Sequence, residues 1–254
     1  MNEIEEKNIV KQILLTPIKC SKRYKCVQMV DGEIRSPQKY YCTADCDMSD
    51  FAVGFYEIIY RDNLLNENKN ILAEYGRFKN KELAGDTINS FNSLANVILD
   101  ETNKTRSNQD KWPDYLIEYE KRYHCLANFW VIPMRHGRRS AKLGRYDSFD
   151  FYLEKLQDEY DEFQKEAIVH YPRDKKEYNN YFRMINGFNE FLKIHCIENH
   201  VKAENPQDPY KQKDKEACKK LIEDIYDFME IRAEAIVKNY TDLLYQYFLE
   251  LKLI

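Results

Sequence analysis

Glycine and proline are scarce in this chain, seven of each in 254 residues. A sandwich or barrel with many tight turns needs more of both, so the shortage favours long helices over an all-β architecture. No apolar run approaches the roughly 20 residues that span a bilayer, so no membrane-crossing helix is expected. The first residues, Met1 to Lys11, are acidic and polar and lack the apolar core of a secretory signal. Seven cysteines, an odd number, do not form a paired disulfide framework. With no signal segment they indicate free thiols in a reducing interior, and a cytoplasmic location is expected. A formal net charge of -4 excludes a protein that is basic overall, of the kind that coats nucleic acid, and leaves room for a local basic site.

Familiar catalytic patterns are missing too. There is no Gly-Lys-Ser/Thr of a Walker loop, no Gly-x-Ser-x-Gly elbow and no His-Glu-x-x-His. His195 and His200 are five apart, one more than a helical zinc pair uses, and His170 precedes a turn. The stretch Arg122 to His124 is too short for the Arg-and-His spacing of helical ribonuclease domains. No internal repeat of fixed period is present.

What the chain does have is apolar and aromatic mass, with 43% hydrophobic residues, 20 Tyr and 13 Phe. Large rings fill wide gaps between helices and keep a hydroxyl at the wet edge. From Asp147 onward the chain is a long amphipathic stretch, interrupted by Pro172, Pro206, Pro209 and Gly187.

Two textures divide the sequence. In residues 1–50, the apolar run Ile9 to Leu15 ends at Pro17. The β-prone runs Tyr24 to Val30 and Glu33 to Arg35 then flank Asp31-Gly32, a hairpin signal. Tyr40 to Thr43 would continue a small sheet. From Asp50 the spacing of Phe51, Phe55, Ile58 and Ile59 is helical. A second helix is expected over Leu64 to Tyr75. A third is expected from Gly85-Asp86-Thr87, with Asp86 as N-cap and Ile88, Phe91, Leu94, Ala95, Ile98 and Leu99 as its stripe. A fourth opens at Trp112-Pro113-Asp114 and runs to about Phe129. Further helices carry Phe149 to Phe163, capped by Asp147-Ser148, and Tyr178 to Cys196; a very long one runs from about Asp214 to Leu251. The expected fold is mainly α, several helices around a single core. Residues 1–50 would form a small β-containing segment and residues 51–254 the helical domain, with strands mainly in the first 50 residues.

Four cysteines, Cys20, Cys26, Cys42 and Cys46, fall in the N-terminal segment as two pairs flanking the hairpin. Tetrahedral zinc takes two close pairs of thiolates, but the first pair is wider than a zinc ribbon uses, and buried thiols explain the same residues. No cofactor is expected; zinc is the metal these thiols would suit.

The tract Pro133 to Arg145 carries Arg135, Arg138, Arg139, Lys142 and Arg145 with no acid until Asp147. Guanidinium forks match phosphate and carboxylate, and Gly137 and Gly144 would let backbone approach an anion. A nucleic acid, a nucleotide or an acidic protein would suit it. The alternative is a solvated loop, or a clamp on the acidic helix Glu154 to Glu166.

A third set is polar. Asp86, Thr87, Asn89 and Asn128 would cluster, with Asp86 as general base or metal ligand, and His124 one helical turn before Asn128 would join them. Helix capping by Asp86-Thr87 and backbone satisfaction by Asn128 explain the same residues and are preferred.

The run Gly85-Asp86-Thr87-Ile88-Asn89-Ser90-Phe91, with the later Asn128-Phe129 and Pro133, resembles a signature of a family of uncharacterised bacterial proteins. The resemblance covers residues 80–165. It implies a bacterial or phage source and no activity.

The leading expectation is therefore a binding protein of a bacterium or phage that engages an anionic partner through the basic connector, with phage–host conflict as a setting. One alternative is an enzyme acting on a phosphate-containing substrate, using Asp86, Asn89, His124 and Asn128 as machinery and the arginines as clamp. Another is structural assembly, a homo-oligomer formed through the C-terminal helix; an apolar face left uncovered in the monomer would mark it.

Overall fold

The computed structural model describes residues 2–20, 27–37, 46–64, 83–99, 103, 106–133, 149–163, 185–202 and 213–254. Its spine is the C-terminal helix, Lys215–Glu250, 36 residues and about 54 Å long at 1.5 Å per residue. The helix starts where the sequence places it, because the Asp214 side chain accepts the Ala217 N–H at 3.0 Å and satisfies one of the unpaired donors of the first turn. One stripe along it is buried, from Cys218 through Ile225, Met229 and Ile236 to Phe248.

Six more helices occur among the described residues. In chain order they are α1 (Glu3–Leu15), α2 (Asp50–Ile59), α3 (Phe91–Ile98), α4 (Asp114–Arg122), α5 (Phe149–Phe163) and α6 (Phe188–Ile194), so the C-terminal helix is α7. The fold is mainly α, as expected. α1, α2 and α3 pack along α7 and cover its stripe. No helix among the described residues is long and apolar enough to cross a membrane.

α1 forms over a stretch that reads in sequence only as an apolar run. A capping box fixes its start: Asn2 accepts the Glu5 N–H and the Glu5 carboxylate accepts the Asn2 N–H, both at 2.9 Å. It buries Val10, Ile13 and Leu14.

Short strands β1 (Ile18–Lys19), β2 (Gln28–Val30) and β3 (Glu33–Arg35) form a sheet in the order β1-β3-β2. The Asp31-Gly32 hairpin is present, with φ of 52° and 75° at its two turn residues, the left-handed pair that matches strand twist. β1 ties the sheet to the helical body, since the Ile18 N–H donates to the His124 carbonyl at 2.7 Å.

Strands are not confined to the first 50 residues. β4 (Leu83–Thr87) and β5 (Phe129–Pro133) pair antiparallel, with Asp86 opposite Trp130 and Thr87 opposite Phe129. Gly85-Asp86-Thr87 is therefore strand, not a helix start. Asp86 is no N-cap; α3 begins after Ser90. The fourth helix stops at Arg122, and the apolar run Phe129 to Ile132 is extended and fully wrapped, at 5% exposure or less. A short apolar run suits a two-sided buried strand as well as a helix, and here packing decided.

A single cluster of apolar side chains joins residues on both sides of position 50, from Val10 and Ile34 to Phe55, Trp130 and Phe248. The expected strand Tyr40 to Thr43, the helix from residue 65 to Tyr75, the Asp147-Ser148 cap and the stretch from Tyr178 to residue 184 lie outside the described residues.

Candidate functional site: the polar network under the β4–β5 ribbon

The structure brings Asn89 and Asn128 into direct contact. The Asn128 Oδ1 accepts the Asn89 backbone N–H at 3.0 Å and its Nδ2 at 3.3 Å. The Asn128 Nδ2 donates to the carbonyls of Asn89 and Tyr123 at 3.1 and 2.7 Å. The Tyr119 hydroxyl donates to the Asn89 carbonyl at 2.9 Å, and the Ile88 N–H to the Asn128 carbonyl at 2.7 Å. Asn89 is 2% exposed and Asn128 not at all, so this polar pair closes the turns at the ribbon's end inside the core.

Thr87 joins a second partner that sequence spacing did not point to. Its hydroxyl donates to Asp47 Oδ2 at 3.0 Å, and the Asp47 carbonyl accepts the Tyr56 hydroxyl at 2.9 Å. Asp47 is buried in the short turn Cys46–Met48 that precedes α2. Burial first, then the nearby Asp47 carboxylate, pushes the Tyr56 phenol well above its ordinary range, while Arg232 pulls the other way. Gly85 has its place here for a steric reason. A Cβ at that position would run into the Asp47 carbonyl oxygen and would stand 2.8 Å from the Tyr56 ring.

Asp86 is half-buried, and its Oδ1 accepts the Thr87 N–H at 2.9 Å. The His124 ring lies against the Tyr123 ring, centroids 3.9 Å apart, and edge-on to Phe129 at 5.7 Å. Of the four residues proposed as machinery, Asn89 and Asn128 are thus engaged with each other and with backbone. Asp86 turns back on its own strand and His124 packs among rings.

Beneath the ribbon lies a network that sequence reasoning missed. Arg232 sits in the apolar stripe of α7, one turn from Phe228 and from Ile236, and is completely buried. Its Nε donates to the His195 carbonyl at 2.9 Å, and its Nη1 to the carbonyls of Ala127 at 2.7 Å and Leu126 at 3.4 Å. One side chain thereby ties α7 to the end of α6 and to the turn Leu126–Asn128 that launches β5. His195, also fully buried, meets the Tyr60 hydroxyl through Nδ1 at 2.9 Å and packs against Trp130 and Phe191. Burial, with the Arg232 charge adding to it, holds His195 well below its ordinary range, so the ring is neutral. Burial pushes the Tyr60 phenol up, so its hydroxyl keeps its proton. The signal in the sequence was a lone arginine at an apolar position of a helix.

Cys20 and Cys46 are neighbours: the Cys46 thiol points at the Cys20 carbonyl, Sγ to oxygen 3.8 Å. Burial, then Cys46, pushes the Cys20 thiol far up, which favours the protonated form over the thiolate a metal needs. Cys26 and Cys42 lie outside the described residues, and among the described residues no group of three His, Cys, Asp or Glu side chains is disposed to hold a metal ion. Arg135, Arg138, Arg139, Lys142 and Arg145 also lie outside the described residues. The two ends of their tract are placed: Pro133 pairs with Leu83 at the end of the ribbon, and Phe149 packs on Trp130 and Phe228 with centroids 6.0 and 4.7 Å apart. Close to the second end, His200 Nε2 meets Asp150 Oδ1 at 2.5 Å and fastens the start of α5.

No protein-family model matches this chain, and no curated protein and no solved structure matches it.

Proposed function

We propose that this is a cytoplasmic binding protein of a bacterium or its phage, engaging an anionic partner through the basic connector of residues 134–146. The observation that carries the reading is the run of five cations, Arg135, Arg138, Arg139, Lys142 and Arg145, uninterrupted by an acid in a chain of net charge -4. Arginine forks suit phosphate and carboxylate oxygens, so the partner is a nucleic acid, a nucleotide or an acidic protein. A scaffold that pairs Pro133 with Leu83 in the ribbon and buries Phe149 supports the reading, because binding segments work best when rigid elements carry their ends. The enzyme alternative loses support from the polar set itself, since Asn89 and Asn128 spend their hydrogen bonds on the fold. Assembly through α7 loses its motive, as α1, α2 and α3 already cover the apolar stripe.

Changing Arg138 and Arg139 to alanine tests the reading. Binding to single- and double-stranded oligonucleotides should weaken and lose part of its salt dependence, because fewer counterions are released. The melting temperature should stay nearly unchanged. If the arginines instead clamp α5, stability falls by about 1–3 kcal/mol, the range for charged hydrogen bonds, and oligonucleotide binding is unaltered. That result would overturn the proposal.

A further inference from the structure

The first and last of the four N-terminal cysteines meet in the structure, which their spacing alone did not show. Cys20 follows β1 directly, and Cys46 opens the short helical turn that leads into α2. They stand 26 residues apart in the chain, yet the Cys46 thiol points at the Cys20 carbonyl. Both are buried in the one apolar cluster and neither is in a disulfide.

Sheet register carries the other two cysteines toward the same place. Lys19 pairs with Arg35, and Arg35 with Gln28, so the end of β1, the end of β3 and the start of β2 lie level at one end of the sheet. Cys20 is the next residue out of β1. Cys26 lies two residues before β2, beside the buried Val27, and Cys42 lies on the chain that leaves β3 for Cys46. Cys26 and Cys42 are outside the described residues, but connectivity bounds them. Neighbouring Cα atoms are about 3.8 Å apart and four residues reach at most about 14 Å, so Cys26 stays beside Val27 and Cys42 within that reach of Cys46.

The wide first pair has a geometric cause here. β3 lies between β1 and β2, so the connection from Cys20 to Cys26 passes over β3 and crosses two strand spacings, about 9–10 Å. A fifth intervening residue suits that crossing. The second pair, with three residues between, keeps the ordinary spacing of zinc ligands. Sulfur donors select zinc over magnesium or calcium, which take oxygen. Burial raises the Cys20 thiol in the metal-free chain, but a bound zinc removes the proton outright, so thiolate and metal arrive together.

We propose that Cys20, Cys26, Cys42 and Cys46 hold one structural zinc ion, which clasps the end of the β1-β3-β2 sheet to the turn before α2. With four protein ligands no position is open to water or substrate, so the site fastens and does not catalyse. Strands of two and three residues bury little by themselves, and a metal is one of the staples so small a unit uses. The site is separate from the basic connector and does not depend on the function proposed for it.

The test reconstitutes the whole reduced chain with zinc in the absence of oxygen, strips loosely held metal on a chelating resin and measures zinc by elemental analysis. Wild type should retain one zinc per chain, and the double variant Cys26→Ser, Cys42→Ser should retain none. X-ray absorption at the zinc edge needs no variant: a shell of sulfur alone at about 2.3 Å supports the site. Nitrogen or oxygen in that shell, zinc kept by the double variant, or a wild-type chain that retains no zinc would overturn the proposal. If the double variant does not fold, iodoacetamide labelling of the wild-type chain decides with the spectrum. Removing zinc should open Cys26 and Cys42 to modification, and labelling indifferent to zinc overturns the site.

Discussion

Asn128 uses its whole hydrogen-bonding capacity on its neighbours, chiefly Asn89: two bonds accepted from Asn89 and two donated, to Asn89 and Tyr123. An amide side chain has two acceptor sites and two N–H donors, and here all four are filled. The pair joins the turn after β4 to the turn before β5, so it closes the ribbon at its inner end.

Asn128→Ala should therefore cost about 2–4 kcal/mol, from removing its bonds to the Asn89 amide groups and to the Tyr123 carbonyl, while the Asn89 carbonyl keeps the Tyr119 hydroxyl. Asn128→Asp should cost more, because it turns a carboxylate oxygen toward two carbonyl oxygens. Urea titration checks both; an unchanged midpoint in either would contradict the network.

Gly54 and Gly85 should respond differently to alanine. At Gly54 the added Cβ meets the Tyr247 ring, 2.6 Å from Cζ, and that ring is held by its hydroxyl bond to the Phe51 carbonyl at 2.9 Å. A side chain gives way in part, so Gly54→Ala should cost about 1–3 kcal/mol, the usual range for overpacking. At Gly85 the obstacle is the backbone carbonyl of Asp47, which moves only with the whole turn. Gly85→Ala should be the more damaging of the two by thermal melting.

His195 sets a pH dependence. Its folded-state affinity for protons is lowered, chiefly by burial and then by Arg232. The unfolded chain binds a proton below about pH 6.5, and the folded protein does not until much lower pH. Stability from this residue is thus complete above about pH 6.5 and declines as pH falls, by about 1.4 kcal/mol per unit. Comparing urea midpoints of wild type and His195→Asn between about pH 5.5 and 7.5 isolates the slope. Parallel curves would show that His195 contributes none of it.

The buried thiols should be silent in the folded state. Cys125 and Cys218 are fully buried, and Cys20 and Cys196 nearly so. Burial also keeps Cys20, Cys125 and Cys196 protonated, and the thiolate is the reacting form. Iodoacetamide followed by mass spectrometry should modify these residues only after denaturant is added. Rapid modification of Cys125 in the native protein would contradict the burial.

The helices were legible where a cap and a stripe agree. Asp214 and the apolar residues from Leu221 to Phe248 located α7 to within one residue at each end, and Asp31-Gly32 located the hairpin. The ribbon was not legible. Asp86 precedes an apolar stripe, which is the sequence mark of a helix start, yet Ser90 is the residue at the α3 cap position. What keeps Gly85 to Thr87 extended is the pairing with Phe129 to Val131, some forty residues on, and no local pattern records it. Arg232 was illegible for a related cause. Its partners are carbonyls of Leu126, Ala127 and His195, groups that every residue carries and no sequence distinguishes.

The packing of α1 against α7 has a consequence for how the chain matures. Lys11 bridges Glu230 and Glu234 at 2.9 Å each, and Val10, Ile13 and Leu14 lie buried at the same contact. During synthesis α1 leaves the ribosome long before α7, the helix it packs against most closely, has been made. α1 meets the turn Leu126–Asn128 first and its larger partner α7 only later, so closure of the core is a long-range event. Folding of α1 onto α7 therefore joins two segments roughly 200 residues apart, a pairing of the kind that slows folding.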